Sequence, residues 1–219
     1  MRKIGIILTL LFSVAGSMAQ KPTDISIEVY AYQDAIPDTC LVLHEDYKTG
    51  KYHLYEGNEI KSFYSDIIIC GLKPKSKSIK VFDFPMQNIE VTLEENYSFR
   101  FGKKTYTFRA EGEKRTDGYH NDYWYKIKDY KLYLSNGKNE QLITTVAYFD
   151  GTSPQILWIG DLDGDGKPDF LVRTATWYEN ERIELYLSSI AQKEELVKLA
   201  DYAEHYREDE ADEDIEEVE

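Results

Sequence analysis

The chain has 219 residues, 42% of them hydrophobic and 14% aromatic, and a net charge of −14. That length can bury a substantial core in one domain or at most two small ones, and the acidic balance excludes the basic face that nucleic acid phosphates require. Nine acidic residues, with no Lys or Arg among them, fall between Glu208 and Glu219, so the body without that segment carries only −5.

The first residues pair a basic start, Arg2 and Lys3, with an apolar run from Ile4 to Val14 and small residues ending in Ser17-Met18-Ala19. This pattern predicts a signal peptide over 1–19, cleaved after Ala19, and therefore a secreted or periplasmic protein. The run is shorter than the roughly 20 apolar residues that span a bilayer, and no later stretch approaches that length, so no membrane span is expected. No cysteine adjoins the cleavage site, which argues against a bacterial lipid anchor there.

A β-rich domain is expected over 20–206. Short runs rich in Tyr, Val, Ile, Phe and Thr are broken by Gly, Asn, Asp and Lys clusters about every ten residues, the spacing of antiparallel strands in a sandwich or barrel-like fold. The predicted strands are Ile25–Tyr32, Cys40–His44, Tyr52–Tyr55, Ile60–Cys70, Ile79–Phe84 and Ile89–Leu93. They continue with Tyr97–Phe101, Thr105–Ala110, Tyr123–Ile127, Tyr130–Leu134, Gln141–Tyr148, Ile156–Ile159, Phe170–Thr174 and Arg182–Leu187. Hairpin turns are expected at Glu56-Gly57-Asn58, Phe101-Gly102-Lys103-Lys104, Ser135-Asn136-Gly137-Lys138 and Asp150-Gly151. The Asn-Gly pair is the strongest, because a type I′ turn needs two residues that tolerate positive φ. The Lys- and Ser-rich stretch 73–78 is where a subdivision of the domain would fall. Cys40 and Cys70 are the only cysteines; they are either a disulfide, as an oxidising compartment would allow, or two buried thiols.

The clearest chemistry lies in Asp161-Leu162-Asp163-Gly164-Asp165-Gly166-Lys167-Pro168-Asp169. Carboxylates at loop positions 1, 3, 5 and 9 with glycine at position 6 are the arrangement by which a chain curls around Ca2+, whose six to eight hard oxygen ligands include a backbone carbonyl at position 7, here that of Lys167. The predicted metal residues are thus Asp161, Asp163, Asp165, Lys167 and Asp169. Without a cation, four carboxylates held this closely repel one another. The loop is EF-hand-like, but the bidentate glutamate of position 12 is replaced by Val172, so ligation must finish elsewhere, with Asp150, Glu179 and Glu181 as candidates. Its flanks are β-branched and aromatic, so it should join two strands rather than two helices.

The segment from Gly160 to Val172 resembles the calcium-binding segment of FG-GAP or VCBS-type repeats, the β-hairpin loops of integrin α-subunit propellers, and more distantly dockerin loops. The resemblance spans Gln155 to Ser188 and implies Asp161, Asp163, Asp165 and Asp169 as side-chain ligands. A propeller needs several such blades, whereas this chain holds one loop, so the adhesion function of that family does not carry over.

Past the loop, Leu196, Leu199, Ala200 and Ala203 fall at helical spacing. They predict one amphipathic C-terminal helix within Gln192–Tyr206, the alternative being an edge strand over Leu196–Tyr202. Residues 207–219 form an acidic tail, expected to be disordered.

Other chemistry is sparse. His44, His53, His120 and His205 lack metal-ligand spacing, and there is no nucleophile elbow, phosphate loop or dinucleotide fingerprint. Acid pairs such as Glu94-Glu95 and Glu111 with Glu113 are what 40 acidic residues produce by chance. Tyr123, Trp124 and Tyr125, and again Trp177 and Tyr178, are either core and cross-strand partners or rings that stack on a glycan or protein ligand. The expected function is an exported calcium-binding β domain that acts as a binding or structural module, with no catalytic residue singled out. The alternative is a calcium-supported hydrolase acting on glycans or peptides outside the cytoplasm, whose mark would be two carboxylates facing each other about 5 to 10 Å apart across a cleft.

Overall fold

The structure is a computed structural model, and it describes residues 25–29, 40–46, 51–56, 67–72, 89–115, 126–149, 153–174 and 180–206. Within them the chain is all antiparallel β, in three open sheets that close into no barrel.

The first sheet is built from β1 (Ser26–Val29), β2 (Leu41–Asp46), β3 (Lys51–Glu56) and β4 (Ile67–Cys70), in the order β1-β4-β2-β3. β4 reads Ile-Ile-Ile-Cys, too apolar for an edge, and it takes a central place between β1 and β2. The expected turn at 56–58 lies largely outside the described residues; β3 pairs with β2, and β4 lies on the other side of β2. In this pairing His44 and His53 stand opposite each other. The β2–β4 register continues to Cys40 and Cys70, which are joined by a disulfide with their Cα atoms 4.2 Å apart.

A second sheet has the order β6-β7-β8-β9, from β6 (Tyr97–Phe101), β7 (Lys104–Lys114), β8 (Ile127–Ser135) and β9 (Glu140–Tyr148). Gly102, at φ +59°, opens the two-residue turn between β6 and β7, the position a II′ hairpin reserves for glycine. The β8–β9 turn departs from the expected type I′: only Gly137 has positive φ, and Asn136 Oδ1 accepts the amides of Lys138 and Asn139 instead. β8 is also a single strand through residues 127–135, where a break was expected between Ile127 and Tyr130. Asp129 adopts φ +52° and the β7–β8 register slips there, so the polar Lys128-Asp129 pair marks a bulge.

Between these two sheets lies the third, in the order β13-β12-β11-β10-β5. Its strands are β5 (Ile89–Glu90), β10 (Gln155–Gly160), β11 (Asp169–Arg173), β12 (Asn180–Leu187) and β13 (Lys198–Tyr206). Alternate residues serve opposite cores. Ile156, Ile159, Phe170 and Val172 pack on Phe99, Phe108, Leu132 and Leu134 of the second sheet. Leu157, Trp158, Leu171, Ile183 and Leu185 pack on Ile27, Leu43, Ile67 and Ile69 of the first. A bulge in β10, where the register slips between Ile156 and Trp158, turns both Leu157 and Trp158 to the same side. Because the middle sheet is covered on both faces, β10 and β11 are near-continuous apolar runs rather than alternating ones.

The expected C-terminal helix is replaced by β13. Its register against β12 slips at Ala200, which faces the core together with Asp201 while Leu199 is 36% exposed. The bulge breaks the two-residue alternation and leaves apolar residues at a spacing that imitates a helix. Asp150-Gly151 likewise joins no hairpin, since β9 and β10 belong to different sheets. The expected strand Ile79–Phe84, the signal peptide, the 73–78 connection and the acidic tail lie outside the described residues, as do Tyr123, Trp124, Tyr125, Trp177 and Tyr178.

The disulfide closes a loop of 30 residues, which on the chain-entropy model contributes roughly 3 to 4 kcal/mol. Replacing both cysteines with alanine should lower the unfolding free energy by about that amount in denaturant titration, with the second and third sheets retaining their near-UV signature at 25 °C.

Candidate metal centre

The hairpin β10–β11 is closed by residues 161–168. Gly160 pairs with Asp169 at its base. Trp158 lies across Gly160 so closely that a Cβ there would fall 2.1 Å from the indole Cη2, so only glycine lets the ring cover the loop's entry. Leu162 is fully buried in the core beneath the first sheet, and Phe170 meets Phe108 edge-on at 5.1 Å in the other core. Each end of the loop is thus anchored in a different core. On either side of Leu162, Asp161 and Asp163 bring their carboxylates close to one another.

The turn itself is held by its own carboxylates. Asp161 Oδ2 accepts the Gly166 amide at 2.9 Å, Asp163 Oδ1 the Asp165 amide at 3.1 Å, and Asp165 Oδ1 the Lys167 amide at 2.8 Å. Gly164 and Gly166 sit at φ +73° and +83°, where a side chain would strain the curl. Asp169 carries the most: Oδ2 accepts the Leu162 amide at 2.7 Å and Oδ1 the Ser188 amide at 2.8 Å. It ties the loop to both its own start and the end of β12.

Asp161, Asp163 and Asp169 are all buried, with one oxygen from each lying within 4.8 Å of the others. Asp161 Oδ1 and Asp163 Oδ2 are buried without a hydrogen-bond partner. Burial pushes the Asp169 carboxyl up to about 8, against the lowering effect of the Ser188 and Leu162 amides, and the nearby Asp163 and Asp165 charges add to the rise. Unpartnered carboxylate oxygens in a dry site are costly. A metal ion drawn to this group would compensate them, and the donors are all hard oxygens.

Of the four predicted carboxylate ligands, the structure brings three together. Asp165 lies outside the triad and faces Ser188, whose hydroxyl is 3.0 Å from Asp165 Oδ1. Lys167 is exposed, its ammonium 3.6 Å from Asp165 Oδ2. Val172, at the position of the absent glutamate, is a fully buried core residue. The candidates for completing the shell are not placed by the structure, because Asp150, Glu179 and the side chain of Glu181 lie outside what is described. Ser188 is the participant that sequence spacing missed. Its only signal is its place one residue past β12, where antiparallel pairing sets it beside Asp169.

Beside the loop lies a cleft of about 390 Å³ whose lining includes Lys104, Tyr106, Lys138, Lys167, Ser188 and Lys193. The sequence-flagged acid pairs are surface ion pairs instead: Glu94 with Lys114, Glu111 with Arg109, and Glu113 with Lys128. The aromatic side chains of Tyr130 and Trp158 belong to the cores.

No family model, curated protein or solved structure matches the chain. The buried aspartate group does not by itself identify a family.

Asp169 provides a test of the loop without metal. Its carboxyl rises from 3.8 to about 8 on folding, so the folded state holds the proton more tightly. The associated stability is present below about pH 4 and is lost as pH rises toward 8. In chelator, urea titrations should show stability falling between pH 5.5 and 8.5. Asp169→Asn should reduce that slope, and it should also cost about 1 to 3 kcal/mol at pH 5.5, because its NH2 group must face one of two backbone donors.

Proposed function

We propose that the chain is an exported calcium-binding β module in which the ion holds the β10–β11 hairpin, and that it serves binding or support rather than catalysis. The observation that carries this reading is the pair of buried, unpartnered oxygens, Asp161 Oδ1 and Asp163 Oδ2, beside Asp169. Calcium is favoured over softer metals because among the described residues no sulfur or imidazole joins the group, and because the spacing of Asp161, Asp163, Asp165 and Asp169 follows the order in which an oxygen loop wraps this ion. The ion would supply positive charge that the close carboxylates lack. Asp161, Asp163 and Asp169 would hold it, with the Lys167 carbonyl and Asp165 as further donors. The likeness to FG-GAP and VCBS-type segments supports the same ligands.

Export is supported by the apolar N-terminal run and is compatible with the Cys40–Cys70 disulfide. A binding role fits a β scaffold in which the start of β7, two connections and the metal loop line one cleft. The cleft beside the loop presents lysines and one carboxylate, Glu195, rather than two facing acids, so no observation there favours the hydrolase.

Thermal unfolding with calcium at 100 times its Kd should show a gain of about 2.7 kcal/mol over chelator, or roughly 5 to 10 °C for a chain of this size. Magnesium should give less and zinc none. Asp161→Asn should remove the calcium effect while leaving the chelated protein no less stable, since Asn can still accept the Gly166 amide. A Tm that calcium does not move would overturn the reading.

A further inference from the structure

We propose that the cleft beside the metal loop binds a small hydroxylated anion, an acidic sugar whose carboxylate, sulfate or phosphate is held by lysines from four separate segments. Lys104 begins β7, Lys138 lies in the β8–β9 turn, Lys167 in the metal loop and Lys193 in the β12–β13 connection, and all four line one cleft of about 390 Å³. The chain's net charge is −14, yet this lining sets four lysines against a single carboxylate, Glu195. The local inversion of sign is not produced by sequence clustering. Only the fold brings these residues together.

Elsewhere on the sheets, cations are spent on neighbours. Arg109 holds Glu111 and Glu140, Lys114 holds Glu94, Lys128 holds Glu113, and Arg182 holds Glu184 and Glu204. Among the described residues Lys104, Lys138 and Lys193 have no such partner, and Lys167 reaches only Asp165, at 3.6 Å. Three unpaired ammonium groups around one concavity raise the local concentration of anions.

The walls are fixed before any ligand arrives. Gln141 accepts the amides of Leu196 and Val197 at 2.7 and 3.2 Å and donates to the Val197 carbonyl at 2.7 Å, pinning the β12–β13 connection to β9. Asn136 holds the Lys138 turn through its own side chain, and Glu195 closes the Gln192 turn at 2.9 Å. Such preorganisation lowers the ordering cost of binding. Carboxamides at Asn136, Asn139 and Gln192 and the Ser188 hydroxyl complete much of the lining. Hydrogen-bonding groups of this kind suit sugar hydroxyls and disfavour an acyl chain. The size lies in the lower part of the range for small-molecule sites.

This inference deepens the binding-module reading and rests on that part of it, not on calcium. Isothermal titration of the full chain with glucuronate, glucose 6-sulfate, glucose 6-phosphate and uncharged glucose tests it, each run once with calcium and once with chelator. At least one acidic sugar should bind, which also tells the three anionic groups apart, and glucose should bind at least about tenfold more weakly, the loss expected of one good charge-assisted contact. Raising salt from 0.05 to 0.5 M should weaken binding, as the Debye length falls. Lys138→Glu with Lys193→Glu, both at exposed turn positions, should abolish it while the Tm and its calcium response stay as in the parent. No binding in either medium, glucose binding as well as the acids, or binding unchanged in the double variant would overturn the inference. The calcium response of the Tm is read separately, so either conclusion can fail alone.

Discussion

The middle sheet is covered on both faces, so a polar side chain can belong to it only at an edge, at a strand end, or inside a satisfied network. Three buried carboxylates illustrate these three solutions. Asp201 sits at the bulged edge strand β13, where its Oδ2 accepts the Ile27 amide of β1 at 3.2 Å and stitches the first sheet to the middle one. Glu184 lies on the face toward the second sheet, paired with Arg182 and 2.8 Å from the Tyr186 hydroxyl, which also reaches the Ile143 carbonyl. Asp169 heads β11 and accepts two amides. Each satisfies a group that the apolar layers alone would leave stranded.

Asp161 and Asp163 break this pattern. They are as buried as the others, yet each keeps an oxygen with no partner. Trp158 Nε1, Arg173 Nε and Thr174 Oγ1 are also buried without a hydrogen-bond partner, but among the described residues only Asp161 and Asp163 set unpartnered oxygens of like charge close together, an arrangement that a cation would complete. The anchoring makes the same point from the apolar side. Leu162 and Phe170 are committed to opposite cores, so the loop cannot swing outward to hydrate its acids without vacating one of them.

Much of the β architecture was legible because β-branched and aromatic runs and glycine turns are local signals. The strands of the second sheet and the β10–β11 hairpin follow from them directly. What misled was irregularity. The bulge at Asp129 read as a strand break, and the bulge at Ala200 set apolar residues at helical spacing, because one extra residue shifts the phase of alternation without changing composition. Pairing order was also illegible at 150–151, which fall between strands of two different sheets. At the site, the aspartate spacing was visible in one short segment. Ser188 was not, since it arrives through the register of β12, and the lysine cleft was not, since its four cations come from four elements.

Asp165 shows how the two sites are linked. It is part of the loop by sequence, but its Oδ1 meets the Ser188 hydroxyl and its Oδ2 faces the Lys167 ammonium, and both of those residues line the cleft. The nearby Tyr106 hydroxyl, held above its usual range by burial and by the Asp165 charge, lines the same cleft. Asp165 therefore stands between the buried aspartate triad and the lysine cleft without belonging to either. Were the proposed cation and the proposed anion both to bind, any coupling of their affinities through this carboxylate would be reciprocal in free energy.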